Sequence, residues 1–273
     1  MLNNILRGFE LHRACQRPVL AAIITMAKRG AFIVLEGGDR CGKTTQVALL
    51  AQALATLGHP TKTLKFPDRT TKTGHVINQY LTNSVEVDDK AIHLLFAQNR
   101  REAESSMRAL LQTGVTLIAD RYAYSGVAYS ASKGLDLTWC QRPDVGLPAP
   151  DLVVYLDMPP DAAAQRGGYG AERYESTQVQ TRVRSLFLDR LRNDRNWAVV
   201  RADQSIEEVH RDVMAAVLTR AIRPAVEEGR VLGELWVGEV EPMDAATKLV
   251  RMGVTVHVEG GEGAASAGSA GEK

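Results

Sequence analysis

The chain is poor in the features that mark several large classes of protein. Its 273 residues include only three cysteines, and no two of them stand in a C-x-x-C spacing. We therefore expect free thiols in a reducing compartment rather than a disulfide framework or a cysteine-ligated metal. No apolar run approaches the length of a membrane span, so a membrane partner is not predicted.

Excess charge is absent too. The 33 basic and 32 acidic side chains leave a net charge of +1, which offers no electrostatic basis for binding nucleic acid. The six histidines do not show the spacing of metal ligands, and each is expected to be structural or on the surface. The G-x-S-x-G signature of a serine nucleophile and the Asn-Lys-x-Asp base reader of GTPases are both missing.

Composition separates a central domain from two different ends. We predict one domain over residues 26–236 and a C-terminal extension over 237–273, disordered at least from residue 259, where Gly, Ala, Ser and Glu dominate. Residues 245–250 suggest a helix and 254–258 a strand.

The basic segment 1–25 has two interpretations. It could be a mitochondrial transit segment, but it has no serine, so we favour a disordered extension or an upstream start before Met26. We expect a cytoplasmic protein, or a nuclear or mitochondrial one if this segment is a targeting signal.

The most informative stretch matches the phosphate-binding loop G-x-x-x-x-G-K-[ST], and it reads Gly37-Gly38-Asp39-Arg40-Cys41-Gly42-Lys43-Thr44. An apolar strand candidate, 31–35, precedes it, and apolar residues at helical spacing follow it until Gly58. In such a loop the backbone amides and the lysine hold a polyphosphate, and the Thr44 hydroxyl holds Mg²⁺.

Four further strand candidates alternate with helical patterns, namely 63–66, 115–119, 152–156 and 197–200. This alternation predicts an α/β fold of three layers, α/β/α, with a five-stranded parallel sheet. Ligands of such sheets bind beyond the C-terminal ends of the strands.

Charged residues follow several of these strands. Asp120 could bind Mg²⁺ through water, and Arg121 could bind a phosphate. The alternative is that the two residues form an ion pair at the surface. We favour the functional interpretation because a phosphate loop is predicted nearby. Arg69 could bind a second phosphate.

Phe96 and Arg100 share a helix face at i, i+4, but spacing alone favours a core ring and a solvated charge. The glycine-rich, charged segment from Arg166 to Glu175 favours a mobile lid over a solvated loop.

Together these stretches resemble the thymidylate kinase family of its eukaryotic type, from about Gly30 to Trp236. The order and spacing of several separate stretches match: Val34–Gly37 (VLEG) with Asp39-Arg40 and Gly42-Lys43-Thr44, Phe66-Pro67, His93–Phe96 (HLLF) with Asn99-Arg100, Asp120–Ala123 (DRYA) with Ser125–Ala128 (SGVA), Pro143–Pro148 (PDVGLP), Glu172–Glu175 (ERYE) and Gly233–Trp236 (GELW). Cys41 departs from the family's alanine, and the tail beyond Trp236 has no counterpart.

The resemblance implies a P-loop NTPase fold with a helical lid at about 159–180 and the residues that act in it. Catalysis would depend on Asp39, Arg40, Lys43, Asp120 and Arg121, with Mg²⁺ held by Thr44 and Asp120. The lid would act through Arg166, Glu172 and Arg173. ATP would be bound by Gly37, Gly38, Asp39, Arg40, Cys41, Gly42, Lys43, Thr44, Thr45, Arg166, Asp203 and Gln204.

The acceptor dTMP would be bound by Asp39, Phe66, Pro67, Arg69, Phe96, Arg100, Arg121, Ser125, Gly126, Tyr129, Tyr174 and Gln180. Phe96 would stack on thymine and Arg100 would bond its O4 edge, which reverses the interpretation from spacing. Tyr174 would disfavour a ribose hydroxyl.

The implied reaction moves the γ-phosphoryl group of MgATP to the 5′-phosphate of dTMP, with some activity on dUMP, in a homodimer. A deoxynucleoside kinase, or a nucleotide-binding regulatory protein with a vestigial site, would be the alternatives. Intact Arg40, Lys43, Asp120 and Arg121 disfavour the regulatory one.

Overall fold

The computed structural model describes residues 29–166, 170, 172–193 and 195–240. The predicted features at 1–25, 245–250 and 254–258 therefore lie outside the described residues. Five strands form the centre of the fold: β1 Phe32–Gly37, β2 Thr61–Lys65, β3 Thr116–Asp120, β4 Leu152–Asp157 and β5 Trp197–Arg201. All five predicted strands are confirmed, with boundaries that shift by one or two residues.

Eight α-helices connect and follow the strands in the described part of the chain. They are α1 Lys43–Thr56, α2 Lys72–Leu81, α3 Asp89–Gln112, α4 Ala123–Ala131, α5 Leu137–Gln141, α6 Pro160–Ala164, α7 Thr177–Ser185 and α8 Ile206–Val217. A 3₁₀ turn, Arg142–Asp144, follows α5, and π-helical turns extend α7 over Leu186–Leu191 and α8 over Leu218–Glu227. None of the helices described combines the length and apolar character that crossing a bilayer would require.

The sheet has the order β2-β3-β1-β4-β5, and every neighbouring pair is parallel. Strands β1, β3 and β4 are buried almost throughout, as expected for parallel strands covered on both faces, whereas the edge strand β2 exposes lysines and threonines. The predicted three-layer α/β architecture is confirmed.

One large core packs α1 and α8 against the sheet. Ile33 and Leu35 of β1 meet Leu50 and Leu54 of α1, and Val213 of α8 completes the layer. Because the five strands run in one direction, their C-terminal ends bring the loops after β1, β2, β3 and β4 to one edge of the sheet.

Candidate functional site

The loop after β1 wraps around its own lysine. Gly37 and Gly42 both have positive φ, and a Cβ on Gly37 would lie 2.7 Å from the carbonyl oxygen of Leu156. The Lys43 ammonium donates to the carbonyl oxygens of Gly37 at 3.2 Å and Gly38 at 2.5 Å. The ammonium is therefore held at the N-terminus of α1, where helix amides and the helix dipole favour an anion.

Thr44 and Asp120 meet at the mouth of this loop. The Thr44 hydroxyl donates to Asp120 Oδ2 at 2.6 Å, and Asp120 is almost fully buried at the end of β3. A hydroxyl and a carboxylate are the oxygen donors that Mg²⁺ prefers. Among the described residues no group of three or more His, Cys, Asp or Glu is placed to hold a metal ion.

Arg121 connects the loop with the start of α4. It adopts a positive φ of 69°, which is uncommon for a residue with a side chain. Its guanidinium donates to the carbonyl oxygen of Gly37 at 2.9 Å, to Ser125 Oγ at 3.0 Å and to Asp39 Oδ1. The unusual backbone conformation thus accompanies a side chain directed into the site.

Asp39 accepts two further hydrogen bonds, at Oδ2, from the Tyr129 hydroxyl at 3.0 Å and from Gln180 Nε2 at 2.7 Å. Burial alone would raise the pKa of Asp39, but the positive charges of Arg121 and Lys43 outweigh it and the pKa is lowered. Asp39 is therefore an ionised acceptor at neutral pH.

Glu36 is a functional residue that the sequence interpretation missed. It is fully buried, and its carboxylate accepts from the backbone amides of Tyr122 and Ser125 and from Ser125 Oγ at 2.6 Å. Burial raises the pKa of Glu36, although Arg121 and these hydrogen bonds favour its ionised form. It fixes the start of α4 beside Arg121. An acid near the end of an otherwise apolar strand was the available signal.

Two arginines of the site are paired with carboxylates of the segment before α7. Arg40 Nε donates to Glu175 Oε1 at 2.9 Å, and Arg69 Nη2 donates to Glu172 Oε1 at 2.7 Å. The turn that carries Arg69 is held by Asn99, whose side chain bonds both the amide and the carbonyl of Asp68. Sequence interpretation assigned no role to Glu175 or Asn99.

Arg100 corrects the interpretation drawn from spacing alone. Its side chain is only 3% exposed, and it makes a two-pronged ion pair with Asp144, at 2.9 and 2.6 Å. Because α3 packs against the turn that carries Asp144, the guanidinium is not a solvated charge. The partner stands 44 positions away, so periodicity within α3 could not reveal it. Phe96 is half-buried one turn earlier and lines the same cleft.

These side chains surround one cleft of about 510 Å³ at the C-terminal edge of the sheet. The predicted site residues that line it are Asp39, Arg40, Gly42, Lys43, Thr44, Thr45, Phe66, Pro67, Arg69, Phe96, Arg100, Asp120, Arg121, Ser125, Gly126, Tyr129, Arg166, Glu172 and Tyr174. Glu175 and Lys65 line it as well, without having been predicted.

The remaining predicted residues lie outside this lining. Three of them contact the Lys43 ammonium, through the carbonyl oxygens of Gly37 and Gly38 and the sulfur of Cys41. The buried Gln180 contacts Asp39 rather than the cleft itself. Arg173 points elsewhere: its guanidinium lies 4.1 Å from the ring centre of Tyr80 and pairs with Glu86.

The loop after β5 contacts the site through Arg166. Asp203 pairs with the neighbouring Arg201, and Gln204 bonds the carbonyl of that residue. Arg166 reaches the same loop at the carbonyl of Ala202, 3.4 Å away, and donates to the carbonyl of Arg40 at 2.8 Å. It therefore connects the loop after β5 with the phosphate loop.

Comparison with known proteins gives a consistent result. Residues 35–213 match the family model for thymidylate kinase. The chain is 49% identical over 208 residues to the thymidylate kinase of Arabidopsis thaliana, covering 76% of this chain and 78% of that protein. It is 46% identical over 213 residues to the human thymidylate kinase, covering 77% of this chain and 99% of that protein.

A solved structure agrees with the sequence matches. The thymidylate kinase of Candida albicans, described for its broad substrate specificity, superposes with a TM-score of 0.67 at 33% identity, covering 77% of this chain and all of that one. With its phosphate loop, its arginine-lined cleft and these matches, the chain belongs to the thymidylate kinase family and is a phosphotransferase.

Proposed function

We propose that the protein transfers the γ-phosphoryl group of ATP to the 5′-phosphate of dTMP, giving ADP and dTDP. The observation that carries the proposal is the single cleft that joins the phosphate loop to a second set of arginines. Arg121 and Asp39 stand between the two, so a donor and an acceptor phosphate would meet beside them.

At the donor end, the loop amides and Lys43 would bind the β- and γ-phosphates. Thr44 and Asp120 would hold Mg²⁺, which when bound neutralises phosphate charge. Arg166 bonds both the phosphate loop and the loop after β5, so it would contact the donor nucleotide where the nucleotide passes between these two loops. We further propose that Asp203 and Gln204 lie near the adenine.

At the acceptor end, Arg69 and Arg121 would bind the 5′-phosphate of dTMP. Phe96 would stack on the base, and Asp39, as an ionised carboxylate, would accept a hydrogen bond from the 3′-hydroxyl. The Tyr174 ring is held 5.1 Å from the ring of Tyr129, beside the cleft. A fixed ring there would leave no room for a ribose 2′-hydroxyl.

The chemistry requires positioning more than proton transfer. The acceptor phosphate is already an anion, so no strong base has to be supplied. Lys43, Arg40 and Arg121 would hold donor and acceptor in line and stabilise the charge on the transferred group. Closure of the segment that carries Glu172 and Glu175 would exclude water from the transfer.

The test is ADP release from MgATP with dTMP, dUMP, dGMP, UMP, thymidine or no acceptor. Rapid turnover with dTMP, weaker turnover with dUMP and little with thymidine is the expected result. Turnover with thymidine but not with dTMP would instead indicate a nucleoside kinase. ATP binding without turnover on any acceptor would indicate a regulatory protein. The homodimer stays a prediction, which light scattering of the purified protein tests directly.

A further inference from the structure

The guanidinium of Arg100 is held from one side by a buried carboxylate. Asp144 is fully buried, and its two oxygens accept from Arg100 Nε and Nη2 at 2.9 and 2.6 Å. Arg100 lines the cleft, whereas Asp144 lies behind it. Two of the three guanidinium nitrogens, Nε and Nη2, are therefore committed to Asp144, and the free edge is the one that carries Nη1.

The same guanidinium is confined from the other side by the backbone of α4. A Cβ placed on Gly126 would lie 2.7 Å from Arg100 Nη2 and 3.0 Å from Nη1. A separation of 2.7 Å is shorter than real Cβ atoms show, and the pairing with Asp144 holds the guanidinium in place, so an alanine here would displace Arg100 from its position. Gly126 also lines the cleft.

The turn that carries Asp144 is itself anchored to α3. The neighbouring Arg101 donates to the carbonyl oxygen of Pro143 at 3.1 Å and to that of Val145 at 2.5 Å. Asp144 is thus fixed on both sides along the chain, and it cannot follow Arg100 if a ligand pulls the guanidinium into the cleft.

A guanidinium in a fixed position discriminates between bases by hydrogen-bond polarity. It carries only donors, so its free edge can bond a carbonyl oxygen but opposes an amino group with another donor. A mobile arginine could turn away from an amino group, whereas one held by Asp144 and Gly126 cannot.

We infer that Asp144 and Gly126 are specificity-determining residues that fix Arg100 as a reader of a keto group on the acceptor base, against an amino group. Asp144 is a positioning residue, since it acts through Arg100. The inference deepens the proposed function and rests on its placement of the acceptor base on Phe96, which lines the cleft one helical turn before Arg100.

The test compares dTMP, dUMP and dCMP as acceptors, because the first two share a keto group where dCMP carries an amino group. We would measure kcat/KM for each, and in parallel the affinity of each by calorimetry. The variants are Asp144→Asn and Gly126→Ala, which disturb Arg100 from opposite sides. The matched control is Asp136→Asn, the same chemical change at an exposed helix cap that does not contact Arg100.

Both variants should lower kcat/KM for dTMP and dUMP in parallel, by about tenfold or more, with a smaller loss for dCMP. The control should leave all ratios unchanged. An equal loss for all three acceptors, or an unchanged ratio of dTMP to dCMP, would overturn the inference, because a merely structural role lowers every activity alike.

Two outcomes separate this inference from the proposed function. If the wild type binds dTMP over dCMP without transferring a phosphoryl group, the proposed function fails and the affinities still decide the inference. If it binds neither, both fail. Should Asp144→Asn not fold, Gly126→Ala decides alone, since alanine is well tolerated in a helix and reaches the same guanidinium.

Discussion

Arg40 in the phosphate loop and Glu175 before α7 form an ion pair, with 2.9 Å between Arg40 Nε and Glu175 Oε1. Arg69 and Glu172 repeat the arrangement three residues earlier on the same segment. Each of these carboxylates therefore lies on a guanidinium that we assign to a phosphate group. Substrate binding would exchange a carboxylate for a phosphate at both positions.

Replacing Arg40 should affect turnover more than binding. In Arg40→Ala we expect kcat to fall by about a hundredfold or more with a much smaller change in KM, because the charge that Arg40 stabilises develops mainly in the transition state. Steady-state kinetics with ATP and dTMP measure both constants. Arg190→Ala, at an exposed arginine outside the cleft, is the control. An unchanged kcat would remove Arg40 from the mechanism.

Replacing Arg69 should affect binding of the acceptor more than turnover. Arg69→Ala removes a ligand of the acceptor phosphate that is present before and during the transfer, so the KM for dTMP should rise by about tenfold or more while kcat changes less. The KM for ATP serves as an internal control and should stay near the wild-type value. A rise in the KM for ATP alone would place Arg69 at the donor.

Removing the carboxylate that competes for Arg69 should strengthen acceptor binding slightly. The Arg69 and Glu172 side chains are 37% and 36% exposed, so water screens their pairing. Glu172→Gln should therefore lower the Kd for dTMP only about two- to fivefold. Calorimetry measures it, with Glu86→Gln as the matched control, since Glu86 pairs with Arg173 outside the cleft. Weaker binding in Glu172→Gln would show that Glu172 assists the acceptor instead.

Loss of the Thr44 hydroxyl should change the magnesium requirement. Thr44→Ala removes an oxygen donor beside Asp120, so half-maximal activity should need about tenfold more Mg²⁺. ADP release against free Mg²⁺ at saturating nucleotide measures the shift, and Thr56→Ala at an exposed helix position is the control. A response identical to the wild type would exclude Thr44 as a ligand.

His93 should make the fold less stable in acid. Its ring bonds Ser130 Oγ at 2.8 Å and the carbonyl of Cys140 at 2.9 Å, and burial lowers its pKa to about 4. In the unfolded chain the His93 ring takes up a proton near pH 6.5, whereas in the folded protein it stays neutral down to about pH 4. The contribution of neutral His93 to the free energy of unfolding is therefore fully present above pH 6.5 and is lost as the pH falls from about 6.5 to 4.

The loss attributable to His93 is about 3 kcal/mol by pH 4. Urea unfolding at several pH values in this range should show a shallower pH dependence for His93→Gln, whose amide can still donate to the Cys140 carbonyl. Parallel curves for the variant and the wild type would contradict the assignment. His59→Gln, at a partly exposed loop histidine, is the matched control.

Much of the donor side of the site could be predicted because its information is local. The phosphate loop is contiguous from Gly37 to Thr44, and the apolar runs around it specify a strand and a helix by composition and periodicity. The acidic residue that ends β3 and the arginine that follows it could be predicted for the same reason, since parallel strands place their C-terminal ends together.

The acceptor side depended on contacts between distant parts of the chain. Spacing alone assigned Arg100 to solvent, because nothing within α3 indicates Asp144; the resemblance to a family reversed that assignment before the structure supplied the reason. The resemblance named Glu172 as a lid residue and gave Glu175 no role, and neither inference contained the pairing with Arg69 and Arg40, which required the segment to fold against the cleft.

The amino-acid sequence by itself thus determined the α/β fold, the order of its strands and helices and the phosphate loop, because these follow from patterns within a few turns of chain. Only the tertiary structure decided which charges face the cleft and which are committed to partners. A charge costs free energy to bury unless it is paired, and the partners of the buried Glu36 and Arg100 lie far from them in the chain.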